Sequence, residues 1–201
     1  ISVRVKVRDA ALFGHQMLLS RTYLCRGNQL ILEDEAENIG PRREPYMILY
    51  HFNIGYPLLD ETSRLHIPAV STVARDPRAQ EGIAVWNKVE PPQRGFQEQC
   101  YYHTLDGKPT VAIFNEKIGL GLAMQFDTAQ LSCFTQWKQM GEYEYVLGLE
   151  PGNCNPDGRD IVRKKGALYY LEPGQKAQQR IELTMLDTRE QFEKILKGDN
   201  G

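Results

Sequence analysis

Alternation dominates this chain. Ile1, Val3, Val5 and Val7 alternate with Ser2, Arg4, Lys6 and Arg8, a period-two pattern with one wet face. Similar short runs recur along most of the length. They predict strands at 2–8, 16–25, 29–34, 46–54, 82–89, 97–104, 109–115, 118–126, 130–137, 143–150, 167–171 and 176–186. Turn chemistry separates them, with "RGNQ" at 26–29, "LDGKP" at 105–109, "EKIG" at 116–119 and "EPGQ" at 172–175. In "KPTVAIFNEKIGLGLAMQF" two strands meet at a tight turn, and Gly119 and Gly121 predict a bulge or a close backbone approach. One segment follows helical spacing. Asp187 can cap it, Glu190 sits at the capping-box position, Phe192, Ile195 and Leu196 share a face, and Gly198 ends it, so a helix is expected over 188–197. The stretch 62–81, with Pro68, Pro77 and several charges, reads as a long loop over one rim. Many short strands without alternating helices predict an all-β antiparallel sandwich or barrel rather than βαβ units.

Length and composition narrow this further. With 201 residues the chain can bury a substantial core, and residues 1–201 are expected to form a single β-sandwich domain. Hydrophobic content of 41%, charged content of 25% and a net charge of −2 carry no electrostatic footprint for nucleic acid or an anionic membrane. No apolar run approaches the roughly 20 residues of a membrane span. The opening "ISVRVKVR" lacks the features of a signal peptide. It also starts already in register and without methionine, so an upstream segment is expected. Cys25, Cys100, Cys133 and Cys154 are widely spaced, with no C-x-x-C pair, which suits reduced thiols in a cytoplasmic protein.

Two stretches carry candidate chemistry. Gly-rich phosphate loops, the G-x-S-x-G elbow and H-E-x-x-H are all missing from the sequence, and His15, His51, His66 and His103 have no metal-ligand spacing. In "ILYHFNIGYPLL" (48–59), His51 and Asn53 interrupt an apolar, aromatic run and face the same side of a strand. Either His51 is a core histidine donating to a backbone carbonyl, or it is a general acid walled by aromatic side chains. In "YVLGLEPGNCNPDGR" (145–159), Tyr145, Leu147 and Leu149 form one face, so Glu150 falls on the other at the expected strand end. It is then a surface glutamate before a turn or a carboxylate fixed at a rim site. Spacing alone does not choose.

The residues themselves resemble a family. "YHFNIGYPLL" resembles the histidine motif of the aldose 1-epimerase (galactose mutarotase) family, in which a histidine is followed by an aromatic residue and then asparagine. "YVLGLEPGNCNPDG", followed by "LYYLEPGQ", resembles the C-terminal motif of that family, with its glutamate after a Gly-hydrophobic pair and its proline-aspartate beyond. Order, separation and all-β pattern agree, and the likeness is greatest to an uncharacterised bacterial epimerase-like branch. It covers most of this chain but only the C-terminal part of such proteins.

The resemblance implies a large antiparallel β-sandwich, the galactose mutarotase-like supersandwich, here incomplete at the N-terminus, with a sugar cleft on one concave sheet. It implies interconversion of the α and β anomers of an aldose or related sugar without a cofactor or metal. Glu150 would remove the anomeric proton and His51 would protonate the ring oxygen, each within about 3 Å of its proton. Glu98, in "FQEQCYYH", would occupy the place of a sugar-binding aspartate, with Gln97 and Gln99 as rivals and a solvated strand residue as the plain alternative. Trp137 would offer a face to the sugar or pack in the core. Asn53 would orient His51 or a hydroxyl. The expected partner is a small-molecule sugar, with no nucleic acid or membrane and a homodimer left open. The family also uses a second histidine and an arginine from an earlier segment, which nothing in 1–50 matches, His15 in "LFGHQMLL" included. The site would then be completed by another chain, or the protein would be a non-catalytic carbohydrate-binding β-sandwich.

Overall fold

The structure, a computed structural model, describes residues 1–198. In chain order its elements are β1 (Ser2–Ala10), β2 (Gln16–Arg26), β3 (Gln29–Asn38), β4 (Glu44–Pro45), β5 (Phe52–Gly55), β6 (Ser63–His66), β7 (Ser71–Ala74), α1 (Pro77–Glu81), a 3-10 turn (Ile83–Val85), β8 (Gln99–Thr104), β9 (Thr110–Asn115), β10 (Leu120–Phe126), β11 (Cys133–Met140), β12 (Tyr145–Gly152), α2 (Arg159–Lys164), β13 (Tyr170–Leu171), β14 (Lys176–Leu186) and α3 (Arg189–Gly198). A seven-stranded sheet runs β1-β2-β3-β14-β10-β9-β6, and a five-stranded sheet runs β5-β12-β11-β8-β7. β4 and β13 form a small third sheet. Neighbouring strands are antiparallel, as the expected all-β sandwich requires.

The two large sheets bury one core between them. Leu32, Ile113, Met124, Phe126 and Ile181 from the seven-stranded sheet meet Ile54, Phe134, Leu147 and Leu149 from the five-stranded one. The inward and outward sorting follows the two-residue period in strands such as β14. β1 differs: it is exposed on both faces, Val3, Val5 and Val7 included, and not only on the one expected wet face. Gly121 has no room for a side chain, since a Cβ would stand 2.6 Å from the Ile113 carbonyl oxygen, and Gly119 turns at a φ of +66°. Both positions behave as the expected turn and close approach.

Helix α3 packs the expected face. Phe192 stacks on Phe114 at 5.6 Å, and Ile195 and Leu196 join it on the outer side of the seven-stranded sheet. Its cap is shifted by one residue from the expected Asp187 and Glu190. The Thr188 hydroxyl accepts from the Gln191 N–H at 3.4 Å, and the Gln191 side chain accepts from the Asp187 N–H at 2.9 Å.

Three readings are corrected. The apolar 82–89 segment is no strand: Gly82 closes α1, Ile83–Val85 is a 3-10 turn, and Trp86 and Val89 reach the core from irregular backbone. The expected loop 62–81 holds β6, β7 and α1, whose N-cap Asp76 accepts from the Ala79 N–H with Pro77 in the first turn. The expected strand 46–54 is broken before β5. There the chain crosses from the β4–β13 sheet to the five-stranded sheet, and the Asn153 side chain replaces a strand partner by accepting from Ile48 N–H and donating to the Tyr46 carbonyl. Two further short helices, α1 and α2, join the expected one.

Candidate active site on the open face of the five-stranded sheet

Alternation explains how His51 leaves the core. Tyr50 and Phe52 turn inward and stack at 6.5 Å. The Tyr50 hydroxyl donates to Asp34 Oδ2 at 2.6 Å, and Asp34 in turn holds Arg21 through both its oxygens at 2.8 and 2.6 Å. With its neighbours anchored in this way, His51 faces the opposite, open side. Asn53 faces it too, in register with Gly148 and Trp137.

β12 lies beside β5 and delivers the carboxylate. Pairing of Phe52 with Leu149 brings Glu150 next to the His51 position. His51 Nε2 stands 2.9 Å from Glu150 Oε1, with the histidine side chain 45% exposed and the glutamate side chain 3% exposed. The approach is off the hydrogen-bond axis, so Glu150 Oε1 has no in-line donor among the described residues. Thr135 Oγ1, on the residue paired with Glu150, is likewise buried without a partner. His51 is therefore not a core histidine. Nor is Glu150 at a strand end: β12 continues through Gly152, and the carboxylate is buried within the sheet. Burial pushes its pKa up, opposed by the positive charge of His51 and then of Arg75, while Glu98 adds to the rise.

Gly148 creates the space. A Cβ there would lie 2.5 Å from Glu150 Oε1, 3.2 Å from Trp137 Cβ and 3.3 Å from His51 Cε1. Gly148→Ala is expected to push the carboxylate off the imidazole and to cost about 1–3 kcal/mol of stability, the usual penalty for overpacking. Urea unfolding and a crystal structure of the variant check this. Parental stability with the 2.9 Å contact intact would contradict it.

The rest of the face is a chain of polar contacts. The Trp137 ring meets the His51 ring edge-on at 5.6 Å. Its indole N–H donates to Glu98 Oε2 at 2.6 Å, and Glu98 Oε1 accepts from Arg75 Nη2 at 2.8 Å. These two donors, Arg75 first, hold the Glu98 carboxylate below its ordinary range. On the adjoining row the Tyr102 hydroxyl donates to Asp157 Oδ1 at 2.6 Å, and Lys165 pairs with Asp157 Oδ2 at 2.7 Å. Burial raises the Cys100 thiol to about 12, so this buried cysteine on the same face stays a thiol at neutral pH.

The structure thus brings together all five residues singled out from the sequence: His51, Glu150, Asn53, Glu98 and Trp137. Sequence reasoning missed Arg75, Tyr102, Gly148 and the role of Asp157. Asp-Pro at 76–77 was a legible helix start, and Pro156-Asp157 belonged to the quoted C-terminal motif. A separate cavity, lined by residues including His15, Met17, Tyr46 and Arg159, holds none of these groups. Among the described residues no group of three or more His, Cys, Asp or Glu is arranged to hold a metal ion. No described helix is long and apolar enough to cross a membrane.

Comparison with known proteins agrees with this fold. A Klebsiella pneumoniae protein provisionally named an aldose 1-epimerase superimposes with a TM-score of 0.94 at 26% identity, over 99% of this chain and 54% of its own. The chain therefore spans about half the length of that protein. A Clostridium acetobutylicum galactose mutarotase-like protein matches with a TM-score of 0.65 at 14% identity, over 92% of this chain and 62% of its own. An aldose epimerase homologue from C. elegans matches at 0.66 and 16%, over 94% of this chain and 66% of its own. At such identities these last two speak to the fold, which is the galactose mutarotase-like β-sandwich. Comparison with curated protein sequences finds no match. A family model matches residues 1–185, and the chain belongs to that family, the domain of unknown function DUF4432.

Proposed function

We propose that this face interconverts the α and β anomers of an aldose or related sugar. The observation that carries the reading is the His51–Glu150 contact, a half-exposed imidazole touching a buried carboxylate whose oxygen lacks an in-line donor. Buried polar atoms are nearly always paired in folded proteins, so Glu150 Oε1 and Thr135 Oγ1 suit a ligand that brings hydroxyl groups. Glu150 takes the proton of the anomeric hydroxyl while His51 gives one to the ring oxygen. The ring carbon–oxygen bond breaks, the aldehyde turns about its bond to the next carbon, and closure on the other face reverses both transfers. The anomeric and ring oxygens share one carbon, so acid and base must converge, as these two do. Burial raises the Glu150 pKa, the direction that makes its carboxylate a better proton acceptor. Glu98 keeps lone pairs for a sugar hydroxyl beyond its two donors, Asn53 offers an amide, and Trp137 offers an apolar surface to C–H bonds.

A second reading has one observation in its favour. His51 immediately precedes β5, the edge strand of its sheet, so beyond it no described strand walls the cleft. A carbohydrate-binding face without turnover would fit that openness. Freshly dissolved α-glucose and α-galactose followed by polarimetry separate the two. Faster equilibration than in buffer is expected, whereas sugar binding with equilibration at the buffer rate would replace the enzyme reading with the binding one.

A further inference from the structure

We propose that Arg75 is a positioning residue for this site, setting the His51 ring through Glu98 and Trp137. The contacts run without a gap. Arg75 follows β7, and its backbone N–H donates to the Cys100 carbonyl at 3.0 Å, which anchors it to β8. Its Nε donates to Asp76 Oδ2 at 2.9 Å, while Asp76 Oδ1 caps α1 through the Ala79 N–H at 2.9 Å. One end of the guanidinium is thereby tied to a helix start. The other end holds Glu98 at 2.8 Å, Glu98 holds the Trp137 indole at 2.6 Å, and the Trp137 ring meets His51. A planar fork with fixed donors can hold two carboxylates in a set geometry, which a lysine cannot reproduce. Without Arg75, Glu98 would be an unneutralised negative charge beside Glu150.

This inference rests on the proposed reaction only for its kinetic arm. The charged and titratable groups around Glu150 include His51 before β5, Arg75 and Asp76 after β7, Glu98 before β8, and Cys100 and Tyr102 on β8, with Asp157 and its partner Lys165 beyond β12 held at the Tyr102 hydroxyl. Removing the Arg75 charge makes Glu150 harder to ionise, so the acid limb of exchange should move to higher pH in Arg75→Met. In Glu98→Gln a negative charge is lost and the limb should move to lower pH. Arg75→Lys keeps the charge and should leave the limb in place.

The test uses the full chain, with Arg75→Met, Arg75→Lys and Glu98→Gln compared with the parent. In proton–nitrogen spectra the Trp137 indole N–H signal, told from that of Trp86 by Trp137→Phe, should move in Arg75→Met and Glu98→Gln. Exchange should fall on the order of tenfold to a hundredfold in Arg75→Met through kcat, with KM changed little, as expected when a reacting group is misplaced. A Trp137 signal at its parental position in Arg75→Met overturns the inference, and so do limbs that move the same way in Arg75→Met and Glu98→Gln. Should Arg75→Met not fold, the same signal in Arg75→Lys decides, since a lysine keeps the charge but not the fork, and a parental indole position there overturns the inference. A parent inactive on every sugar sinks the proposed reaction, but the indole signal still decides this inference.

Discussion

Glu150→Gln is expected to abolish nearly all anomer exchange while leaving sugar binding largely intact. The amide keeps the shape of the carboxylate and its place between His51 and Thr135, but it cannot take a proton. Loss of a general base costs on the order of 10²–10⁴-fold, and a uniform loss across several aldoses is expected because the proton comes from a position common to all of them. The same variant carries a second signature, in stability. Burial raises the Glu150 pKa in the fold, so the folded protein binds this proton more readily than the unfolded chain does. That contribution is complete below the ordinary glutamate range and is lost as pH rises through the raised folded value. The glutamine variant has no such loss. Its melting temperature relative to the parent should therefore climb as pH rises from the ordinary glutamate range through the raised Glu150 value. Exchange rates by polarimetry, titration calorimetry for binding and thermal melts across pH read out all three. Parental exchange in this variant would remove Glu150 from the chemistry.

His51→Asn should cost a similar 10²–10⁴-fold in exchange, for a different reason. Asparagine can still fill part of the volume beside Trp137 and donate a hydrogen bond, but it cannot deliver a proton to the ring oxygen. Loss of the imidazole also withdraws the largest of the influences that favour ionised Glu150. The remaining exchange should therefore rise with pH later than in the parent. A rate-versus-pH profile for several aldoses and their phosphates is the measurement. If both this variant and Glu150→Gln run at the parental rate, neither residue takes part in the exchange.

Local periodicity made a good part of this legible. Two-residue alternation separated Tyr50 and Phe52 from His51 and Asn53, and Leu147 and Leu149 from Glu150, before any partner strand was known. The face of α3 was legible for the same reason, because Phe192, Ile195 and Leu196 recur at helical spacing. The 82–89 segment misled because Ile83, Val85, Trp86 and Val89 are as apolar as a strand. Their burial comes from a loop folded onto the core, which composition does not distinguish from a strand.

The sequence by itself determined which side chains share a face of each element, since that depends only on backbone period and residue type. It also determined that two motifs, one around His51 and one around Glu150, each present a titratable group opposite an apolar row. Tertiary structure alone decided that the two groups meet. They are about a hundred residues apart, and only the pairing of β5 with β12, Phe52 against Leu149, places imidazole and carboxylate 2.9 Å from each other. A register shifted by one residue would have sent one of them into the core. Arg75 is the extreme case. Its value to the site comes from a helix cap on one side and a neighbouring strand on the other, both set by distant pairing, and no local pattern around it carries that information.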